Sequence, residues 1–139
     1  MTAPKLPTLG GEAEPGSVAR ELLAHVDDLL TRPSVHTAGL WPRAAALLTR
    51  QALEVALKTF WSKQAPGVEG CSARAQLLCL GRFIGDEPLA QRAHAVWGAL
   101  SDACHHHPYE LAPTQAELSG WRDVVAEVVE RTEKAWRMR

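Results

Sequence analysis

Apolar side chains recur every three or four residues in five stretches of the chain, a spacing that is typical of amphipathic helices. The first predicted helix begins at Ser17, a residue type favoured at N-caps, and ends before Pro33. Its apolar face consists of Val18, Leu22, Val26 and Leu29. Residues 1–16 carry prolines and glycines without any periodicity, so we expect them to form a flexible tail.

The second predicted helix is apolar over a wide arc. It opens at Pro42, whose missing N–H costs nothing in the first turn, and it stops at Pro66 and Gly67. Its two neighbouring stripes consist of Ala45, Leu48, Ala52 and Val55, and of Leu53, Leu57, Phe60 and Trp61. A helix that is apolar around so much of its circumference is predicted to lie at the centre of a bundle.

Two further helices are predicted on either side of Gly85. The third covers residues 72–84, and Gly85 suits the left-handed position that often follows a helix. Asp86 is the predicted N-cap of the fourth helix, which is expected to end at Pro108. The apolar faces of the two helices hold Ala73, Leu77, Leu80 and Ile84, and Leu89, Ala93, Val96, Leu100 and Cys104.

The fifth predicted helix has a capping box at its start, formed by Thr114 and Glu117. Valine pairs occur further along it at helical spacing, and no stretch of the chain alternates as a half-buried strand does. The predicted fold is therefore all-α, a bundle of four to five helices that forms one domain over residues 17–139.

The composition limits the classes of partner that the chain is expected to bind and the cellular compartment in which it is expected. The chain has 139 residues and a formal net charge of −1, so its overall field gives no reason to expect binding to nucleic acid or anionic membranes. No apolar run is long enough to span a bilayer, and no secretory signal precedes the first helix. Cys71, Cys79 and Cys104 lack the C-x-x-C spacing of zinc sites, and a reducing cytoplasm is the expected location.

One polar cluster stands out at the end of the fourth helix. Its members are Ser101, Asp102, His105, His106, His107 and Tyr109. Asp102 lies three residues before His105 and four before His106, so its carboxylate is placed to orient either imidazole. Three interpretations stay open: histidines that satisfy the last carbonyls of the helix, a general acid–base, or a metal site. Three adjacent histidines do not share one helix face, which disfavours the metal site.

The chain resembles the HEPN superfamily over roughly residues 17 to 137. The similarity lies in LLTRQALEVALKTFW, in a later helix that ends in WGALSDACHHH, and in one further helix. The block CHHHPYELAPT is also similar to HEPN-like proteins of actinobacterial type. The resemblance implies a small helical bundle, commonly a homodimer. It also implies a metal-independent endoribonuclease or the partner of a separately encoded nucleotidyltransferase.

Catalytic HEPN domains carry an arginine a few residues before a histidine, near the end of a late helix. The three histidines at 105–107 match the histidine of that pattern. The positions for the arginine hold Gly98, Ala99, Leu100, Ser101 and Asp102. A substitute cation would have to come from another helix, and Arg50, Arg74 and Arg82 are the candidates.

Two functions are therefore expected as alternatives. The first is an RNA- or nucleotide-binding HEPN-like domain, with ribonuclease chemistry altered by the missing arginine. Its expected acid–base is one of the three histidines, with Asp102 as orienter, Ser101 beside it and Tyr109 as hydrogen-bond donor. The second is a non-catalytic module that dimerises or docks a separately encoded protein. Neither alternative calls for a cofactor, a metal or a membrane.

Overall fold

A computed structural model describes residues 17–32, 39–105 and 110–138 of the chain. Five α-helices and no strands occur in these ranges, so the predicted all-α bundle is confirmed. The helices are α1 (Ser17–Thr31), α2 (Trp41–Gln64), α3 (Ala73–Ile84), α4 (Glu87–Cys104) and α5 (Gln115–Arg137). A 3-10 turn, Val68–Gly70, lies between α2 and α3. The tail predicted for residues 1–16 lies outside the described residues.

Helix α2 is the centre of the bundle, as its wide apolar arc predicts. It packs against α1, α3, α4 and α5. Among its buried side chains, Leu53, Leu57 and Trp61 have no exposed surface at all. The indole of Trp61 meets the rings of Phe60 and Phe83 edge-on, with centroids 5.1 and 4.7 Å away. No helix in the described ranges is long and apolar enough to cross a membrane.

The predicted caps at the starts of α4 and α5 are formed, and α3 has a further cap at Ser72. The side chains of Ser72 and Asp86 each accept a hydrogen bond from the backbone N–H three residues further on. Thr114 and Glu117 form the reciprocal capping box at the start of α5. Gly85 has φ 66°, the left-handed conformation that glycine adopts without steric cost, and it separates α3 from α4.

Arginines on α5 tie that helix to the others. The guanidinium of Arg131 donates to Asp86 Oδ2 at 3.1 Å and to the carbonyl of Ile84 at 3.0 Å, at the corner between α3 and α4. Arg122 forms an ion pair with Asp27 of α1 at 2.8 Å. These contacts fix α5 against both sides of the bundle.

Candidate functional site

Helix α4 ends at Cys104, and the chain turns away at His105. His105 has φ −83° and ψ 133°, and its backbone N–H donates to the carbonyl of Asp102 at 3.1 Å. The predicted end of this helix at Pro108 is therefore wrong, because the backbone becomes extended before it reaches the proline. His105 consequently lies just beyond the helix, where its side chain is exposed.

The predicted site residues fall into three groups. Asp102 and His105 are both exposed at the end of α4. Ser101 is half-buried, and its hydroxyl has no hydrogen-bond partner among the described residues. His106, His107 and Tyr109 lie outside the described residues.

A small pocket opens beside the end of α4. Its wall brings together the start of α2, the end of α4 and the segment that leads into α5. It is lined by Arg43, Asp102, Ala103, His105, Glu110, Leu111, Ala112 and Pro113. The end of α4 thus shares a cavity with a guanidinium that α4 itself does not supply.

Antiparallel packing of α2 and α4 brings Arg43 to this pocket. The indole Nε1 of Trp97, on α4, donates to Glu54 Oε1, on α2, at 3.3 Å. From this contact the two helices run in opposite directions, so the first turn of α2 meets the last turn of α4. Arg43 follows Pro42 in that first turn and is half-buried.

The sequence did not single out Arg43. The three cations considered as substitutes are not among the residues that line this pocket: Arg50 pairs with Glu54 at 3.6 Å between α2 and α4, while Arg74 and Arg82 are exposed on α3. The missing signal is tertiary, because Arg43 and His105 become neighbours only when α2 packs against α4. In an antiparallel pair, the first turn of one helix lies near the last turn of the other, and applying this to α2 and α4 would have added Arg43 to the candidates.

A second polar group lies deeper between α2 and α4 and holds their register. Glu54 Oε1 receives the indole N–H of Trp97 and faces Arg50 Nε, which lies 3.6 Å away. The charges of Arg50 and Glu54 both act on the Cys104 thiol. Burial raises the pKa of the Cys104 thiol, and the opposing effect of Arg50 is smaller.

The pocket combines one guanidinium, one imidazole and two carboxylates. Arg43 can bind a phosphate with two N–H groups, and an imidazole such as that of His105 is a common general acid or base in catalysis. Among the described residues, no hydrogen bond joins the Asp102 carboxylate to the His105 ring, so the orienting role of Asp102 stays a prediction. The described residues contain no group of three His, Cys, Asp or Glu side chains that could hold a metal ion.

Comparison of the chain with known protein families, with curated proteins and with solved structures finds no match. The resemblance to the HEPN superfamily therefore stays a prediction. We therefore infer the function from the geometry of the pocket between α2 and α4.

Proposed function

We propose that the chain is a HEPN-like helical domain that binds RNA or a nucleotide in the pocket between the start of α2 and the end of α4. The observation that carries this proposal is that Arg43 and His105 line one pocket although they are far apart in the sequence. The guanidinium that the HEPN pattern places on the late helix would come here from α2. Arg43 would bind the phosphate, because guanidinium and phosphate match in charge and geometry.

The same proposal gives His105 the role of general acid–base in RNA cleavage. The 2′-hydroxyl would attack the adjacent phosphorus and lose its proton, and the bond from phosphorus to the 5′-oxygen would break as that oxygen gains a proton. His105 would carry one of these two proton transfers, and Arg43 would stabilise the charge that builds up on the phosphate. Such a reaction uses no metal.

The test is binding and cleavage of fluorescent single-stranded RNA in the presence of a chelator. Arg43→Gln should weaken binding about tenfold, the effect of losing a hydrogen bond to a charged group. His105→Ala should retain binding and lose cleavage. Arg74→Gln and His25→Ala are matched controls, because both residues are exposed on other helices. Equal RNA affinity and cleavage in all four variants and the parent would contradict the proposal.

A second candidate function is a non-catalytic module that forms a homodimer or docks a separately encoded protein. Exposed leucines beside the pocket favour it: Leu40 is 68% exposed, Leu47 40% and Leu111 98%. Leu40, the N-cap of α2, and Leu47 lie two turns apart on the side of the helix that also carries Arg43. This function would be favoured over the first if the chain self-associates and binds no RNA, and if Leu40→Glu and Leu47→Glu convert it to a monomer.

A further inference from the structure

The outer side of α3 exposes apolar and cationic side chains and carries no carboxylate. Leu78 is 64% exposed, and Phe83, further along the helix, is 41% exposed. Arg74 and Arg82 are exposed one turn before and one turn after Leu78, and residues four apart lie on one side of a helix. Neither arginine forms an ion pair with any residue that the structure describes. We call these four residues the α3 face.

The packing of the bundle leaves the α3 face uncovered. The opposite side of α3 holds the buried Leu77, Leu80 and Ile84, and the helix packs mainly against α4. The carboxylate of Glu87, on α4, lies against Gly81 and pairs with neither arginine of the α3 face. Exposed apolar side chains that are bordered by unpaired charges are typical of a surface that contacts another molecule.

The outer side of α1 has the opposite charge. Glu21 and Asp28 are both exposed, and they lie on one side of the helix because seven residues make nearly two turns. Neither carboxylate forms an ion pair within the described ranges. Val18, which is 43% exposed, lies one turn before Glu21, and we call these three residues the α1 face. Of the neighbouring cations, Arg20 is already bound by α5, and Arg32 lies beyond the end of the helix.

The charges on the two faces are spaced alike. The two arginines of the α3 face are about 12 Å apart along their helix, and the two carboxylates of the α1 face are about 10.5 Å apart along theirs. No ion pair joins these four groups within one chain, although the structure describes all of them. Helix α1 packs against α2 and α5, whereas α3 packs mainly against α4, so the two faces lie on different parts of the bundle.

We propose that the α3 face of one chain docks on the α1 face of a second copy. The two arginines would pair with the two carboxylates of the second copy, and Leu78 would be covered between the pairs. Opposite charge selects this arrangement over contact between two α3 faces, which would bring four unpaired guanidinium groups together. The contact is heterologous, so every chain keeps one free face, and further chains can add to form a ring or a filament.

The first test is sedimentation velocity of the full chain over a range of concentrations in low salt. Assemblies larger than a dimer should form, and association should weaken about tenfold at about 1 M NaCl, where the Debye length is about 3 Å. A parent chain that stays monomeric at about 1 mM in low salt would overturn the proposal. If such a monomer instead binds phosphatidylglycerol vesicles, and Arg74→Glu abolishes this binding, the α3 face would be a membrane-binding surface.

Paired substitutions test which faces meet. The α3 variant combines Arg74→Glu with Arg82→Glu, and the α1 variant combines Glu21→Gln with Asp28→Asn. Each should weaken association about tenfold, the effect of losing two exposed ion pairs, while the helical circular dichroism is retained because all four positions are exposed. Mixed together, the two variants should form a dimer with one copy of each and grow no further, because each retains the face that the other has lost.

Two controls accompany these variants. Lys58→Glu with Lys134→Glu changes the net charge as much as the α3 variant does, at exposed lysines on α2 and α5, and should assemble as the parent does. Leu40→Glu, which tests the homodimer through α2, should retain the salt-sensitive association. An α1 variant that associates as strongly as the parent, or a mixture of the two variants that forms no dimer, would contradict the proposal.

Discussion

The ion pair between Arg20 and Glu133 joins α1 to α5, and its two ends should contribute very differently to stability. Three hydrogen bonds connect the side chains, at 2.6, 3.0 and 3.2 Å, and they raise the pKa of Arg20 above its ordinary value. The Glu133 side chain is 10% exposed, whereas that of Arg20 is 59% exposed. Arg20→Met and Glu133→Gln remove the charges one at a time and preserve most of the packing.

The exposure of each side chain determines how much its substitution should lower the unfolding free energy. Arg20→Met leaves a carboxylate shielded from water without its donors, which should cost about 2 kcal/mol of unfolding free energy. Glu133→Gln returns the Arg20 head to water and leaves a neutral amide that still accepts a hydrogen bond, so it should cost less than about 1 kcal/mol. The exposed pair of Arg92 and Glu127, 3.2 Å apart, is the control. Arg92→Met should cost less than about 0.5 kcal/mol.

Urea and thermal unfolding at pH 7, followed by circular dichroism, measure these differences. For a chain of 139 residues, the expected unfolding entropy means that a loss of 1 kcal/mol in unfolding free energy lowers Tm by about 3 °C. Arg20→Met should therefore lower Tm by about 6 °C, and Glu133→Gln by less than about 3 °C. The reasoning is refuted if Glu133→Gln is the more destabilising change, or if Arg20→Met is as mild as Arg92→Met.

Two further predictions concern the interface between α2 and α4. Glu54→Leu should lower the unfolding free energy by about 1 kcal/mol, because the Trp97 indole N–H loses its acceptor; an unchanged urea midpoint would show that this bond contributes nothing. In iodoacetamide at pH 8, followed by mass spectrometry, the exposed Cys71 and Cys79 should be alkylated before Cys104. Burial raises the pKa of Cys104 and leaves less thiolate, and equal rates at the three thiols would contradict this account.

Local signals predicted most of the fold. The capping residues Asp86 and Thr114 form side-chain hydrogen bonds within a few residues of their own position, so the sequence reveals them directly. Gly85 is equally local, since its left-handed conformation depends on the helix that it follows. The end of α4 was predicted too late, at Pro108. A proline limits how far a helix can continue but does not prevent an earlier end.

The site was predictable only in part, because it depends on tertiary contacts. Asp102 and His105 are close in the chain, so their proximity at the end of α4 follows from the sequence. Arg43 is brought to them only by the packing of α2 against α4, which no local pattern encodes.

The central claim is that Arg43 and His105 act on the same bound phosphate. A double-mutant cycle on single-stranded RNA cleavage tests it most directly, with rates measured for the parent, Arg43→Gln, His105→Ala and the double variant in the presence of a chelator. Residues that act as a unit have non-additive effects, so the double variant should be about as slow as the slower single variant. Cleavage that falls by the product of the two single effects, or that changes in none of the variants, would contradict the claim.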